Sequence, residues 1–130
     1  MSQLSSEVAV TERVITQVAV YGTLKRGYSN HHYLNGGRFV GQDMLSNITL
    51  YDLGEYPGAK PGSSQGVLVE VYRVNATVMS VLDELEECHF DAPTRGLYRR
   101  ELIETRHGAA WLYFYNPEIE LSRIFTGQCW

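Results

Sequence analysis

Four carboxylates, Asp83, Glu84, Glu86 and Glu87, are threaded among apolar residues at helical spacing. Val78, Val81, Leu82 and Leu85 follow the i, i+3, i+4, i+7 pattern of one buried helix face. At about 100° per residue, Glu86 falls roughly 90° from the centre of that stripe. Glu84 lies slightly farther away on the other flank, and Asp83 and Glu87 point nearly opposite. Glu86 is therefore the carboxylate best placed to reach a partly apolar cavity. There a raised pKa suits a group that takes a proton and later returns it near neutral pH. The other members of the run read as a solvated face.

A second candidate is Tyr21-Gly22-Thr23-Leu24, which ends the apolar run Val18-Ala19-Val20. A glycine at the end of a buried strand lets the backbone approach a ligand. Successive N–H groups in such a turn can hold a carboxylate or a developing oxyanion. Gly22 and Gly27 have the spacing of a phosphate loop, but Tyr28-Ser29 follow where that motif needs its lysine, so a phosphate loop is excluded. The four histidines, His31, His32, His89 and His107, and the two cysteines, Cys88 and Cys129, make no metal-ligand spacing. No G-x-S-x-G elbow is present for a serine nucleophile. Alternation along a strand puts Tyr98 and Arg100 on one face and Arg99 on the other. Tyr98 can line a cavity, and Arg95, Arg99 and Arg100 form a basic cluster that either attracts an acidic small molecule or balances the acidic helix.

These residues need elements to position them. Val18–Tyr21 reads as a buried strand, Ser29–Leu34 as a helical turn, and Phe39–Leu45 and Ile48–Leu53 as strands. Gly54–Gly62, with two prolines, reads as a long loop. Gly66–Val74 is a strand. Ala76–Glu87 is the main helix, with Asn75 as its N-cap. Cys88–Leu97 is a loop. Tyr98–Thr105 and Ala109–Tyr115 flank a hairpin turn at His107-Gly108. The tail, Pro117–Trp130, is read as irregular with a short terminal strand, and residues 1–17 as an extension ahead of a single domain over 18–130. The fold class is α+β, a mixed sheet curled towards a small barrel with one main helix.

Composition sets the limits. The chain has 130 residues, 44% of them hydrophobic, enough for one packed core. Eleven basic residues against fifteen acidic ones give a net charge of −4, which offers nothing general to nucleic acid or anionic lipid. The first residues lack a basic segment and an apolar segment, and no apolar run approaches a membrane span. With only two cysteines, the expectation is a cytoplasmic protein with reduced thiols.

Taken in order, Tyr21-Gly22-Thr23-Leu24-Lys25-Arg26-Gly27, Leu50-Tyr51-Asp52-Leu53-Gly54-Glu55-Tyr56-Pro57-Gly58-Ala59, Gly66–Tyr72, Leu82-Asp83-Glu84-Leu85-Glu86 and Tyr98-Arg99-Arg100 resemble the γ-glutamylcyclotransferase-like (AIG2-like) family. The resemblance runs from about Val18 to the end of the chain. It implies a small mixed β-barrel with a cavity at one end, acting on a small-molecule γ-glutamyl amide with no metal and no organic cofactor. The family's acid/base glutamate falls on Glu86, and its substrate-binding loop on Tyr21, Gly22, Thr23 and Leu24, with Tyr98 beside them. The implied reaction is attack of the substrate's own α-amine on its γ-carbonyl, releasing 5-oxoproline and an amine or amino acid. The alternative is a non-catalytic binding protein that uses the same cavity. A monomer is favoured. One departure stands out: Glu87-Cys88-His89-Phe90-Asp91-Ala92 replaces the usual glycine-containing segment after the glutamate, with a longer path to Tyr98.

Overall fold

The computed structural model describes residues 15–130. The predicted extension therefore lies almost wholly outside the described residues, apart from Ile15–Gln17, which already belong to the first strand. In chain order the strands are β1 (Ile15–Val20), β2 (Arg38–Leu45), β3 (Ile48–Asp52), β4 (Pro57–Pro61), β5 (Val67–Asn75), β6 (Tyr98–Thr105) and β7 (Gly108–Tyr115), with the helix α1 (Ala76–Leu85) between β5 and β6. Five strands form one sheet in the order β2-β5-β1-β7-β6, and β3 and β4 form a separate two-stranded sheet. β1 runs antiparallel to β5 and parallel to β7, with Val18 beside Trp111.

Alternation along the central strands divides the core in two. Val18, Val20, Tyr72, Val74 and Tyr113 face α1, whose Val78, Met79 and Leu82 are buried against them. Ala19, Tyr21, Val69, Val71, Leu112 and Phe114 face the other way, onto Ile48, Leu50 and Ala59 of the β3–β4 hairpin. With both faces covered, β5 and β7 are apolar at nearly every position rather than at every second one.

Three expectations are corrected. First, the sheet is open among the described residues: β2 and β6 are its edges. The β6–β7 turn, rather than a further ladder, reaches across to β2. The Arg106 N–H donates to the Asp43 carboxylate at 2.9 Å, and His107 Nε2 lies 2.9 Å from the Gln42 carbonyl. The β2 ladder is bulged between Phe39 and Gly41, and a Cβ at Gly41 would stand 2.5 Å from the His107 ring. Second, the supposed loop Gly54–Gly62 contains β4, which pairs with β3 from Asp52–Pro57 to Ile48–Pro61. Its prolines sit at the two ends of the strand, where the missing N–H costs least. Third, the tail carries a 3₁₀ turn, Leu121–Arg123, and a single bridge from Ile124 to Tyr51 instead of a strand.

The helix begins where predicted: the Asn75 side chain accepts from the Val78 N–H at 2.9 Å. It ends one turn-fraction early, at Leu85, in a Schellman motif. The Glu87 N–H reaches the Glu84 carbonyl at 3.2 Å and the Cys88 N–H reaches the Asp83 carbonyl at 2.8 Å. Glu87 takes the left-handed conformation, φ 52°, that usually belongs to glycine. Its carbonyl then accepts from the Leu97 N–H at 3.0 Å, which ties both ends of the 88–97 loop together. Asn116 closes the loop from outside, donating its amide to the Pro93 and Gly96 carbonyls at 2.8 Å each. A Cβ on Gly96 would overlap the Glu87 carbonyl oxygen, a backbone atom that has nowhere to go. Gly96→Ala is expected to destabilise the protein by about 2–4 kcal/mol, read as a lowered urea midpoint with an unchanged m-value.

Candidate active site

A cavity of about 410 Å³ opens where the C-terminal end of β1, the C-terminus of α1 and the start of β4 meet. Tyr21, Gly22, Thr23, Leu24, Glu86 and Tyr98 all line it, so the candidate acid/base residue and the candidate binding residues come to one place. Ser29, Asn30, Glu55, Tyr56, Pro57, Leu85, Glu87, Leu97 and Tyr113 complete the wall together with Ala19 and Val20.

Glu86 reaches the cavity because the helix is rotated from the orientation its apolar spacing suggests. Met79 is buried and Val81 is exposed, so the true buried stripe is Val78, Met79 and Leu82. Its centre lies only about 30° from Glu86 at roughly 100° per residue. Glu86 is half-buried, forms no ion pair among the described residues, and burial alone pushes its carboxyl up to about 7. The same rotation corrects the reading of Asp83 as a solvent-facing charge. Asp83 accepts from Arg100 Nε at 2.9 Å and Nη2 at 3.2 Å, and from the Tyr113 hydroxyl at 2.7 Å. Arg100 is in turn held over the rings of Phe90 and Trp111 at 4.3 and 4.4 Å. Two carboxylates one turn apart thus have opposite environments: Asp83 is neutralised by a bidentate arginine, and Glu86 has no cation.

The tyrosines build the wall. The Tyr21 hydroxyl donates to the Tyr113 carbonyl at 2.6 Å and accepts from the Ala59 N–H at 3.2 Å. The Tyr98 hydroxyl donates to the Pro57 carbonyl at 3.1 Å. Burial, and after it nearby ionisable groups including Glu86, raises the pKa of both phenols, so both stay protonated donors. Their hydroxyls are committed to backbone, which leaves their rings as the surface offered to a ligand. Gly22 owes its identity to packing: a Cβ there would stand 2.8 Å from Pro57 Cγ. The turn after it is fixed by the Lys25 N–H on the Gly22 carbonyl at 3.0 Å and the Asn30 N–H on the Thr23 carbonyl at 2.9 Å. The N–H groups of Gly22, Thr23 and Leu24 donate to no carbonyl among the loop hydrogen bonds of the described residues, and all three residues line the cavity.

The basic cluster does not face this cavity. Arg99 bonds Glu101 at 2.7 Å and Asn116 at 2.9 Å, Arg100 bonds Asp83, and neither they nor Arg95 line the wall. Arg100 balances the acidic helix through Asp83, while Arg99 pairs with Glu101 on its own strand. No group of three or more potential metal ligands occurs among the described residues. Asp83, Tyr113, Asn30 and the Glu55–Pro57 segment were not singled out as site residues from the sequence. Tyr113 alone had a usable signal, since alternation puts it on the same face of β7 as Tyr115, the cross-strand partner of Tyr98.

A small α+β domain whose cavity is lined by a half-buried carboxylate and by the glycine-containing turn after β1 is the class that fold and site define. Residues 18–130 match the family described as "Gamma-glutamyl cyclotransferase, AIG2-like". A Vibrio cholerae protein provisionally named a gamma-glutamylcyclotransferase is 42% identical over 114 residues, 87% of this chain and 93% of its own. The gamma-glutamylcyclotransferase family protein YtfP of Escherichia coli is 35% identical over 115 residues, 88% of this chain and 95% of its own. The solution structure of Escherichia coli ytfP matches with a TM-score of 0.63 over 88% of this chain and 93% of that one. The crystal structure of a mouse AIG2-like protein matches with a TM-score of 0.73 at 22% identity, covering 89% of this chain and 88% of that one, a likeness of fold alone. The chain belongs to the gamma-glutamyl cyclotransferase, AIG2-like family.

The Glu86 environment has a thermodynamic signature. A carboxyl raised from 4.5 to about 7 binds its proton in the folded state where the unfolded chain has already lost it. Stability from this group therefore falls as pH rises from about 4.5 to about 7. Glu86→Gln removes the penalty. Relative to wild type it is expected to be stabilised at pH 8 by on the order of 2 kcal/mol more than at pH 4, read from thermal unfolding at the two pH values.

Proposed function

We propose that this protein is a cyclotransferase that cleaves a γ-glutamyl amide, releasing 5-oxoproline and the free amine or amino acid. The observation that supports this most is Glu86, a carboxyl titrating near neutrality inside a cavity that also presents free backbone donors.

The chemistry follows from those parts. The substrate's α-ammonium must lose a proton before its nitrogen can attack. Glu86, ionised above about pH 7, takes that proton. The nitrogen lone pair then forms a bond to the γ-carbonyl carbon, and the carbonyl π electrons move onto oxygen. The N–H groups of Gly22, Thr23 and Leu24 would carry that developing charge or hold the substrate's α-carboxylate. The tetrahedral centre collapses by breaking the bond to the amide nitrogen, which takes the proton back from Glu86; the second proton of the ring nitrogen passes through Glu86 to the departing amine, which leaves as an ammonium and lets the ring nitrogen keep a single N–H. No water is consumed, and the nucleophile and electrophile belong to one molecule. The protein's main task is to hold the substrate folded. The rings of Tyr21 and Tyr98, fixed through their hydroxyls, form the walls that do so.

The test is direct. The protein is incubated with γ-glutamyl amines, γ-glutamyl amino acids and glutathione, and 5-oxoproline is quantified by mass spectrometry. Wild type is expected to produce it, and folded Glu86→Gln to lose at least about a hundredfold in kcat. The kcat of wild type is expected to rise with pH through about 7 and level above it. Product from no member of the panel, with retained binding of a γ-glutamyl compound, would instead establish a binding protein.

A further inference from the structure

We infer that Cys129 is an oxidation site for hydroperoxides, and that Lys25 traps the oxidised sulfur as a covalent N–S link between the tail and the turn after β1. Neither residue lines the cavity, and the chemistry is independent of the cyclotransferase reading.

Lys25 is only 2% exposed, yet it forms no ion pair among the described residues. A buried ammonium is normally matched by a carboxylate. Here its hydrogen-bond partner is Cys129 Sγ at 3.3 Å, and it lies 4.9 Å from the centre of the Tyr28 ring. An ammonium carries three donors. Two are therefore left without a hydrogen-bond partner among the described residues, beside the sulfur, where they can hold an oxygen added to it. Both ends of the pair stand on fixed backbone. The Lys25 N–H donates to the Gly22 carbonyl and the Tyr28 N–H to the Lys25 carbonyl, each at 3.0 Å. On the tail, the Leu68 N–H donates to the Gln128 carbonyl at 2.7 Å, and the Gln128 amide donates to the Gln65 carbonyl at 2.9 Å. The Tyr28 hydroxyl donates to the Trp130 main-chain oxygen at 2.7 Å. Residues on either side of Cys129 are thus anchored, and amine and sulfur are held together before any reaction.

Cys129 is exposed, so a peroxide in solution reaches it from outside while Lys25 approaches from beneath. Its sulfur attacks one peroxide oxygen and the O–O bond breaks. The products are a sulfenic acid, S–OH, and water or an alcohol; sulfur gives up two electrons and the peroxide takes them. The Lys25 ammonium then releases one proton to solvent. Its nitrogen lone pair forms a bond to sulfur as the S–O bond breaks, and the departing hydroxide takes a second proton from nitrogen and leaves as water. The nitrogen keeps one hydrogen. A reducing thiol reverses the link by attacking sulfur and displacing the amine. Cys88 is the internal contrast. It is buried, burial pushes its thiol up, and the cation beside it, Arg100, is already bound to Asp83. The link would tie the tail to a residue adjoining Leu24, at the turn that lines the cavity.

The full chain, reduced and then freed of reductant, is treated with a small excess of hydrogen peroxide, weighed intact by mass spectrometry and digested with trypsin. Most molecules are expected to lose two hydrogen atoms, and peptide 14–26 to be recovered joined to peptide 124–130, with cleavage after Lys25 lost. Dithiothreitol is expected to restore the separate peptides and the cleavage. Cys129→Ser, at an exposed position, and Lys25→Arg, which keeps the charge and removes the primary amine, are each expected to abolish the link, and Cys88→Ser to keep it. Circular dichroism checks that each variant is folded. If Lys25→Arg does not fold, the peptide map of wild type against Cys129→Ser decides. Cys129 carrying added oxygen while trypsin still cleaves after Lys25 overturns the inference. So does Cys129 joined to Cys88 instead, or a Cys129 thiol that peroxide leaves unchanged.

Discussion

The cavity exists because two sheets are held at a fixed separation, and two tyrosine hydroxyls hold them. Tyr21 bridges β7 and β4 through the Tyr113 carbonyl and the Ala59 N–H, and Tyr98 ties β6 to β4 at Pro57. Each is a buried phenol with its polar end satisfied by backbone, the condition under which a buried hydroxyl adds stability instead of costing it. Because the bonds run to main-chain atoms, they fix the hairpin itself. Gly22 sets how close that hairpin comes, since only hydrogen fits against Pro57. The position of Glu86 relative to the free N–H groups of the Gly22–Leu24 turn is a consequence of these contacts.

The acidic helix shows how like residues are put to unlike use. Asp83 and Glu86 are both on the side of α1 that faces the sheet. One meets Arg100 and Tyr113; the other meets desolvation without a partner. The arginine that neutralises Asp83 lies over the rings of Phe90 and Trp111. The raised pKa of Glu86 follows from burial alone.

Much of this was legible in the sequence. Period-2 and period-3.6 patterns located β1, β5, β6, β7 and α1, because each buries one regular face or two. The turn after β1 and the acidic run stood out by residue type. What stayed hidden was set by long-range contact. β4 looks like a loop, because Pro57, Gly58 and Pro61 are poor strand formers. It is a strand because β3 lies opposite and Gly58 packs within contact of Tyr115. The helix's rotation is hidden in the sequence because Val81 and Met79 are equally plausible buried residues until the sheet decides between them. Asp83 reads as solvated for the same reason, and the open sheet reads as a barrel because a twisted sheet and a closed one share the same strand patterns.

The left-handed Glu87 sets two demands against each other. Glycine at that position would relax the backbone by about 1 kcal/mol, and the chain instead keeps a side chain there, on the rim of the cavity. Selection for a sturdier fold would push this codon one way and selection for the present rim charge the other. An exchange at this position would then alter the charge at the cavity mouth while leaving the buried faces of both sheets untouched.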